Sequence, residues 1–329
     1  MSTQALDHRL SVAPMMDWTD RHFRYFLRLI SRRVLLYTEM VHARAVIQGR
    51  RDRLLAFSAI EHPLALQLGG SEPEVLAEAA RIAEGQGYDE VNLNVGCPSD
   101  RVQAGRFGAC LMREPALVAD CVAAMKQAVS IPVTVKCRIG VDDQDSDAAL
   151  SEFLDTVSAT SCRHFAVHAR KAWLKGLSPK QNRDIPPLDF DRVRLMRHRF
   201  PQLEIVINGG IQSLDEAETL LDDFHGVMIG RAACSNPWML AEADQRLFGD
   251  KAASLSRAEV AREYAAYCAR MEVEGVPKSL LLRNIHGLFQ GVPGARHWRR
   301  GLAENMGRNL SAEATVLEAL GRVAEPDVA

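Results

Sequence analysis

Short apolar runs alternate with longer amphipathic segments along the first 230 residues of the chain. Most of these runs are apolar and β-branched through their length, which is typical of strands that are buried on both faces. The eight runs are LSVAPM (10–15), LLYTEM (35–40), LALQL (64–68), EVNLNV (90–95), VTVKCR (133–138), HFAVHA (164–169), EIVING (204–209) and GVMIG (226–230). The pattern therefore predicts eight buried strands.

The segments between the runs carry signals for helix starts. SEPE (71–74) and SLDE (213–216) both place a glutamate three positions after a serine, which predicts a capping box. Eight strands that alternate with helices over about 250 residues match the count and length of an α/β fold of the (β/α)8 TIM barrel type. We predict this barrel for residues 1–250, with an open doubly wound sheet as the alternative.

The pattern changes after Gly249 and Asp250. A third capping box, SRAE (256–259), opens a region without a strand signal, so residues 251–329 are predicted to form a smaller all-helical domain. Between residues 278 and 308, six lysines and arginines stand against one acidic residue, Glu304. Such a cluster is typical of a solvated helix face or of a surface for a polyanion, and the sequence leaves both open.

Composition and charge narrow the class of protein. Hydrophobic residues make up 47% and charged residues 25% of the 329 residues, as in ordinary globular proteins. The formal net charge of −2 argues against a protein that binds nucleic acid over its whole surface. No apolar run approaches the roughly 18 residues of a membrane span, and MSTQALDHRL (1–10) lacks a secretory pattern. The seven cysteines, without a C-x-x-C pair, are expected to be reduced thiols of a cytoplasmic protein.

Active sites of such barrels are built at the carboxyl ends of the strands. Glycines in the turns at 208–210 and 230–231 would let backbone N–H groups approach a phosphate, and an arginine there adds a fixed positive charge. We therefore expect a phosphorylated ligand. His168, taken alone, is more simply interpreted as a satisfied core histidine. The full set of strand-end candidates is Pro14, Met15, Met16, Gln67, Asn94, Cys97, Lys136, His168, Asn208, Gly209, Gly210, Gly230 and Arg231.

Lys136 and Cys97 are the candidates for reactive chemistry. Lys136 interrupts an apolar run, and it could form a Schiff base, hold positive charge beside a cofactor ring, or extend from the strand end to water. Cys97 lies in a long, glycine-rich connection (96–112) that could close over a ligand. Because no activating base is near it in sequence, a proton-donor role suits Cys97 better than a nucleophilic one. The other six cysteines are expected to be buried small hydrophobes.

Seven stretches carry a resemblance to a known family. They are APMMDWTD (13–20), LQLGG (66–70), NLNVGCPS (92–99), VKCRIG (135–140), HAR (168–170), INGG (207–210) and MIGRA (228–232). Together they resemble the tRNA-dihydrouridine synthases. The segment HARKAWLKGLSPKQNRDIPPLD (168–189) further resembles the A subfamily, the tRNA-dihydrouridine(20/20a) synthases.

The resemblance implies a flavoprotein that reduces uridine in the D-loop of tRNA, with FMN as cofactor and NADPH as the source of electrons. Hydride would add at C6 of uracil and Cys97 would protonate C5, while Lys136 would stabilise negative charge on the flavin. The implied FMN contacts are Pro14, Met15, Met16, Gln67, Lys136, His168, Asn208, Gly209, Gly210, Gly230 and Arg231. Contacts to tRNA are expected from Asn94, Lys180, Arg183, Arg296 and Arg299, the last two on the helical domain.

Three other functions are open at this stage. A phosphate-binding barrel lyase would use Lys136 as a Schiff base and no flavin. A reductase of free pyrimidines or enoates would share the FMN barrel but give the basic helical region no role. A tRNA-binding protein without activity would have no use for Cys97. The resemblance favours the synthase, expected to be a monomeric cytoplasmic enzyme with no metal and no membrane partner.

Overall fold

The computed structural model describes residues 6–252 and 254–323, which form two compact units. The first unit comprises the residues up to 16, residues 35–57 and residues 62–230. The second comprises residues 17–34, residues 58–61 and those from 231 onward. These boundaries do not coincide with the boundary at residue 250 that the sequence pattern indicated. The domains 1–250 and 251–329 therefore stay a prediction. Within the described residues, no helix is both long and apolar enough to cross a membrane.

The first unit is built on a closed barrel of parallel strands. Strand β1 pairs with β2 and β9, β2 pairs with β4, and β4 to β9 pair in chain order, so that eight strands close the ring. The two-residue β3 pairs with the end of β4 and was not predicted. The (β/α)8 TIM barrel is confirmed. The strands are β1 (Leu10–Val12), β2 (Leu35–Tyr37), β3 (Val41–His42), β4 (Leu64–Gly69), β5 (Glu90–Val95), β6 (Val133–Arg138), β7 (His164–His168), β8 (Glu204–Asn208) and β9 (Gly226–Ile229).

Helices connect the strands and make up the second unit. In chain order they are α1 (Arg21–Ile30), α2 (Ala43–Gln48), α3 (Arg51–Leu54), α4 (Pro73–Gln86), α5 (Asp100–Ala104), α6 (Pro115–Ala128), α7 (Asp147–Ser158), α8 (Gln181–Asp184), α9 (Phe190–Arg199), α10 (Leu214–Leu221), α11 (Arg231–Ser235), α12 (Ala243–Phe248), α13 (Arg257–Val273), α14 (Lys278–Leu282), α15 (Ala295–Met306) and α16 (Ala312–Gly321). Short 3-10 helices cover Ala59–Glu61, Gly108–Arg113 and Pro237–Leu240. Helix α4 packs against α2 and α6, and α6 packs against α7.

Two of the three predicted helix starts are confirmed. Ser213 accepts a hydrogen bond from the backbone N–H of Glu216 at the start of α10, and SRAE (256–259) forms a reciprocal capping box at the start of α13. The prediction at Ser71 is wrong, because α4 begins at Pro73 and Glu72 precedes it without a side-chain cap. The fixed φ of Pro73 suits the first helical position, and proline has no backbone N–H to be capped.

The second unit includes α1, which the sequence pattern had placed with the barrel. Arg24 on α1 donates to Glu61 at 2.8 Å, and Ser31 after α1 donates to Asp244 at 2.5 Å. Helix α1 also packs against α13. Side chains far apart in sequence make these contacts, so no local pattern could have revealed them.

Strand β5 gives the barrel a polar interior beside an apolar cluster. The carboxylate of Glu90 is fully buried and accepts from His8 Nε2 at 2.5 Å, Tyr37 Oη at 2.7 Å and Thr134 Oγ1 at 2.6 Å. Burial alone would raise the pKa of Glu90, but the charge and hydrogen bond of His8 outweigh it and the pKa is lowered. Glu90 is therefore a buried carboxylate. The apolar cluster consists of Ala13, Leu35, Tyr37, Ala65, Ala166, Val206 and Met228.

A chain of hydrogen bonds continues from Thr134 toward the carboxyl ends of the strands. Asn92 Nδ2 donates to Thr134 Oγ1, Gln67 Nε2 donates to Asn92 Oδ1, and Asn94 Nδ2 donates to Gln67 Oε1, each at 2.8 Å. Since Glu90, Asn92 and Asn94 alternate along β5, their side chains lie on the same face of the strand. The barrel interior is thus spanned by side-chain hydrogen bonds.

We expect Glu90→Ala to lower the free energy of unfolding by about 3–5 kcal/mol, because it leaves His8 and two hydroxyls buried without their acceptor. Glu78→Ala on the exposed side of α4 is the control, with an expected change below about 0.5 kcal/mol. Urea unfolding followed by circular dichroism measures both. Equal, small effects of the two substitutions would contradict a structural role for Glu90.

Candidate active site

The carboxyl ends of the strands bring four of the predicted site residues together along one rim of the barrel. Asn94 on β5 is the register partner of Lys136 on β6, and His168 on β7 is the register partner of Asn208 on β8. Lys136 Nζ donates to Asn208 Oδ1 at 3.0 Å, which joins two strands that are not neighbours. The parallel strands therefore place these four polar side chains at the same end of the barrel.

Two of these four side chains, Lys136 and His168, are titratable, and both have lowered pKa values. Burial, and next the charge of Arg138, lower the pKa of Lys136 to about 8. Burial and the charges of Arg138 and Lys136 lower the pKa of His168 well below its ordinary value. At neutral pH Lys136 is therefore still mostly protonated, whereas the imidazole of His168 is neutral.

The loop after β5 holds Cys97 at this rim. Asn94 Oδ1 accepts from the backbone N–H groups of Gly96 and Cys97 at 3.1 and 3.0 Å. The N–H of Ala109 donates to the carbonyl of Cys97 at 2.9 Å. Gly108 allows this closure, because its φ is +74° and a Cβ there would lie 2.6 Å from the Cys97 carbonyl oxygen. The predicted long connection is thus folded around a half-buried Cys97.

The other six cysteines do not all behave as expected. Five of them are buried, but Cys110 in the same loop is half-buried, so the prediction is wrong there. Its Sγ donates to the carbonyl of Phe107 at 3.1 Å. Cys110 is therefore a natural control for experiments on Cys97.

Arg138 ties the Cys97 loop to the segment after β7, and sequence reasoning missed it. Its Nε donates to the carbonyl of Gly96 at 2.8 Å, and its Nη1 donates to the carbonyls of Lys171 and Asn182 at 3.2 and 3.1 Å. Burial lowers its pKa to about 10. The available signal was an arginine at the end of the apolar run VTVKCR, two positions after Lys136.

Gln103 makes a second connection of the same kind. Its Nε2 donates to the carbonyls of Pro98 and Leu174, both at 2.8 Å. Glutamine in a helix such as α5 carries no sequence signal for this role. The two loops that flank the rim are therefore hydrogen-bonded to each other.

The rim carries excess positive charge. Among the described residues, the hydrogen bonds of Lys136 and Arg138 go to a neutral amide oxygen and to backbone carbonyls. Both cations also interact electrostatically with Cys97. Buried cations with neutral partners favour an anionic ligand or a thiolate nearby.

The glycines after β8 and β9 differ in the space beside their backbone. Gly209 and Gly210 have φ values of +124° and +76°. Added Cβ atoms would lie 2.7 Å from Cδ2 of His168 and 2.5 Å from Cδ1 of Leu188. An added Cβ on Gly230 would be 4.0 Å from its nearest neighbour, so that position has free space. Both turns can therefore approach a phosphate closely.

The remaining strand-end candidates have different surroundings. Pro14 and Met15 are half-buried, whereas 54% of Met16 is exposed. Gln67 is buried, and its side chain is used in the interior chain of hydrogen bonds. Arg231 is exposed, begins α11 and belongs to the second unit.

The first unit carries the basic pair predicted after β7. Lys180 and Arg183 are exposed, and the segment forms the one-turn helix α8. Asn182 between them is buried, and its Oδ1 accepts from the backbone N–H of Trp173 at 2.8 Å. This contact of Asn182 orders the segment and leaves the basic pair on the surface.

Helix α15 of the second unit carries the other predicted pair. Arg296 and Arg299 are exposed, while Trp298 between them is fully buried and donates to the carbonyl of Ile285 at 3.2 Å. Arg299 donates to Gln290 Oε1 at 3.0 Å. The buried tryptophan fixes which side of α15 faces the solvent.

Three of the six basic residues between 278 and 308 are bonded to carbonyls or carboxylates of the second unit. Lys278 Nζ donates to three backbone carbonyls after and within α15, and Arg283 pairs with Asp20 at 2.8 Å. Glu304 pairs with Arg300 at 2.5 Å and also with a second arginine of the unit. Glu304, the one acidic residue of this stretch, is thus paired with Arg300 and Arg322.

Comparison with known proteins adds family information to this geometry. A family model described as "Dihydrouridine synthase (Dus)" matches residues 11–324. A protein of Shewanella oneidensis named tRNA-dihydrouridine(20/20a) synthase is 59% identical over 305 residues, 92% of this chain and 90% of its own length. Proteins of the same name from Vibrio cholerae and Salmonella typhi are 55% and 57% identical, cover 96% and 94% of this chain, and are matched over 96% and 93% of their own lengths.

One solved structure shows the fold from a distant sequence. It is a complex of 2-naphthoyl-CoA reductase with 2-naphthoyl-CoA, and the two chains are 10% identical. The TM-score is 0.55 over 72% of this chain and 50% of that chain. At this identity the likeness supports the barrel fold alone.

Lys136→Met should raise the melting temperature of the ligand-free protein at pH 7. The native pKa of about 8 lies below the unfolded value of roughly 10.4, so the unfolded state binds more protons between these pH values. Wild-type stability therefore rises with pH across that window. The gain from Lys136→Met should be largest below pH 8 and shrink toward pH 10. Thermal melts at both pH values measure it, with exposed Lys175→Met as the control. A pH-independent gain would contradict the lowered pKa.

Proposed function

The chain belongs to the dihydrouridine synthase family, and we propose that it is a flavin-dependent tRNA-dihydrouridine(20/20a) synthase. The proposed reaction is reduction of the C5=C6 bond of uracil at positions 20 and 20a of tRNA. The observation that carries the proposal is the position of the Cys97 loop beside two cations, the half-buried Lys136 and the buried Arg138. The shared name of relatives that are at least 55% identical over nearly the whole chain supports it.

We infer that FMN is the cofactor and NADPH its reductant. The two glycine turns lack side chains that would keep a phosphate from their backbone N–H groups, and the half-buried ammonium of Lys136 suits a ring that accepts negative charge. FMN, when bound and reduced, would supply a hydride for C6 of uracil. The residues proposed to hold it are Pro14, Met15, Met16, Gln67, Lys136, His168, Asn208, Gly209, Gly210, Gly230 and Arg231.

Cys97 is the proposed proton donor. Hydride addition at C6 places negative charge on C5 and the C4 carbonyl oxygen, and a proton at C5 completes the reduction. Cys97 Sγ–H donates this proton and is left as a thiolate. Solvent then returns a proton to the thiolate before the next turnover.

Recognition of tRNA is proposed to use exposed basic residues of both units. Lys180 and Arg183 in the first unit, and Arg296 and Arg299 in the second, would contact phosphates. The target uridine must leave its stack before uracil can enter the barrel rim. Asn94 would contact the base through the second hydrogen of its Nδ2, since the first is donated to Gln67. We expect a monomer that acts in the cytoplasm.

The lowered pKa of Lys136 would also suit the alternative function, a Schiff-base lyase. In that enzyme the ordered loop around Cys97 would have no chemical role. Borohydride reduction in the presence of a carbonyl substrate would attach that substrate to Lys136 of a lyase. We expect no such adduct, and we expect FMN to be released when the purified protein is denatured.

Cys97→Ala should leave FMN content and flavin reduction by NADPH unchanged but slow dihydrouridine formation. General acid catalysis contributes about 10²–10⁴-fold, so a loss of that size is expected. Mass spectrometry of tRNA after single turnovers gives the rate, and Cys110→Ala in the same loop should retain the wild-type rate. A near wild-type rate for Cys97→Ala would assign the proton to another donor.

Arg296→Ala/Arg299→Ala should weaken tRNA binding without changing FMN content or its reduction by NADPH. The salt dependence of the binding constant should fall by roughly one unit for each phosphate contact removed. Titrations of tRNA at several salt concentrations measure this slope. Arg300→Ala is the control on the same helix, because Arg300 is paired with Glu304. Unchanged affinity in the double variant would favour a structural role for both arginines.

A further inference from the structure

Three metal-binding side chains meet at the amino ends of the barrel strands, opposite the Cys97 rim. His8 lies two residues before β1, His164 is the first residue of β7, and Glu204 is the first residue of β8. His164 and Glu204 are register partners across the β7–β8 pair. The proposed synthase reaction uses none of the three, so the cluster needs another explanation.

Their geometry is compact. One ligand atom from each side chain lies within 4.8 Å of the other two. The rings of His8 and His164 have centroids 4.5 Å apart, and His164 Nδ1 lies 2.9 Å from Glu204 Oε2. His8 is buried, His164 is partly buried and Glu204 is the most exposed of the three. The cluster is therefore partly accessible to an ion from solvent through the Glu204 side.

Glu90 determines which ring nitrogen of His8 is left for an ion. Glu90 is a carboxylate that can only accept hydrogen bonds, so His8 Nε2 must carry the hydrogen of the 2.5 Å contact. His8 Nδ1 is buried and has no hydrogen-bond partner among the described residues. A histidine that donates one ring N–H to a carboxylate and offers the other nitrogen is the usual arrangement of a metal ligand.

Charges around the cluster also favour a cation. Three carboxylates, those of Glu90, Glu204 and Asp7, interact electrostatically with His8. Lys126 is a cation that interacts with His164. A divalent cation would bind through the lone pairs of both rings and the carboxylate of Glu204.

We propose that His8, His164 and Glu204 bind one zinc ion, with water as the fourth ligand. Two imidazole nitrogens and one carboxylate oxygen form a known zinc donor set, and tetrahedral zinc accepts such a set with an open position. The ion would join β1 to the neighbouring pair β7 and β8 at the floor of the barrel. Its role would be structural, since the site lies at the end of the strands away from Cys97.

The test is zinc binding by the full-length protein. Protein stripped with a chelator is mixed with one equivalent of Zn²⁺, desalted and analysed by inductively coupled plasma mass spectrometry. We expect about one zinc per wild-type chain and a rise in melting temperature of a few degrees. His164→Gln and Glu204→Gln should each lower zinc affinity by at least about tenfold and abolish the thermal shift.

His62→Gln provides the matched control. His62 also pairs with a single carboxylate, Asp89, at 2.6 Å, but it is not part of the three-residue cluster. This variant should bind zinc as the wild type does, and metal-free melts show whether each variant is folded. Zinc binding that is absent from the wild type, or unchanged in both His164→Gln and Glu204→Gln, would overturn the proposal. The readouts do not involve dihydrouridine formation, so they are independent of the proposed function.

Discussion

The buried carboxylate of Glu90 sets the direction of the chain of hydrogen bonds that leads from Thr134 to Asn94. Because it can only accept, Thr134 must donate to it, and each amide above must then present its oxygen to the next donor. The last oxygen of the series, Oδ1 of Asn94, therefore faces the backbone N–H groups of Gly96 and Cys97. One charge on the first residue of β5 thus fixes the orientation of the side chain that anchors the Cys97 loop. The chain runs through Thr134, Asn92, Gln67 and Asn94.

The proposed chemistry depends on this anchoring together with the cations at the rim. Arg138 bonds the carbonyl of Gly96 on one side and two carbonyls of the segment after β7 on the other. Lys136, two positions earlier on β6, donates to Asn208. Both cations have neutral hydrogen-bond partners, so the positive charge beside the Cys97 loop is available to an anionic ligand. Positioning and charge at this site are therefore consequences of how β5 and β6 are packed.

Sequence patterns predicted the elements whose signals are local. Buried parallel strands are continuous apolar runs, so the barrel and the strand-end position of Cys97 were accessible from the sequence. The start of α4 was not, because Pro73 overrides the serine before it. Other contacts join segments that are distant in sequence, and no periodic pattern of residues indicates them. Examples are the ion pair of Arg24 with Glu61 and the hydrogen bonds from Arg138 to backbone carbonyls. For the same reason, the sequence did not indicate that Lys278 in the basic stretch 278–308 donates to three backbone carbonyls.

The orientation of Asn94 is tested most directly by amide hydrogen exchange at Gly96 and Cys97. We predict that both amides are protected in the wild type and in Asn94→Asp, which keeps an accepting oxygen. Asn94→Ala removes that acceptor, so both amides should exchange faster while the amides of β6 and β7 remain protected. If the amides of Gly96 and Cys97 were as well protected in Asn94→Ala as in the wild type, the account would be contradicted. The loop would then be ordered without the hydrogen bonds to Asn94.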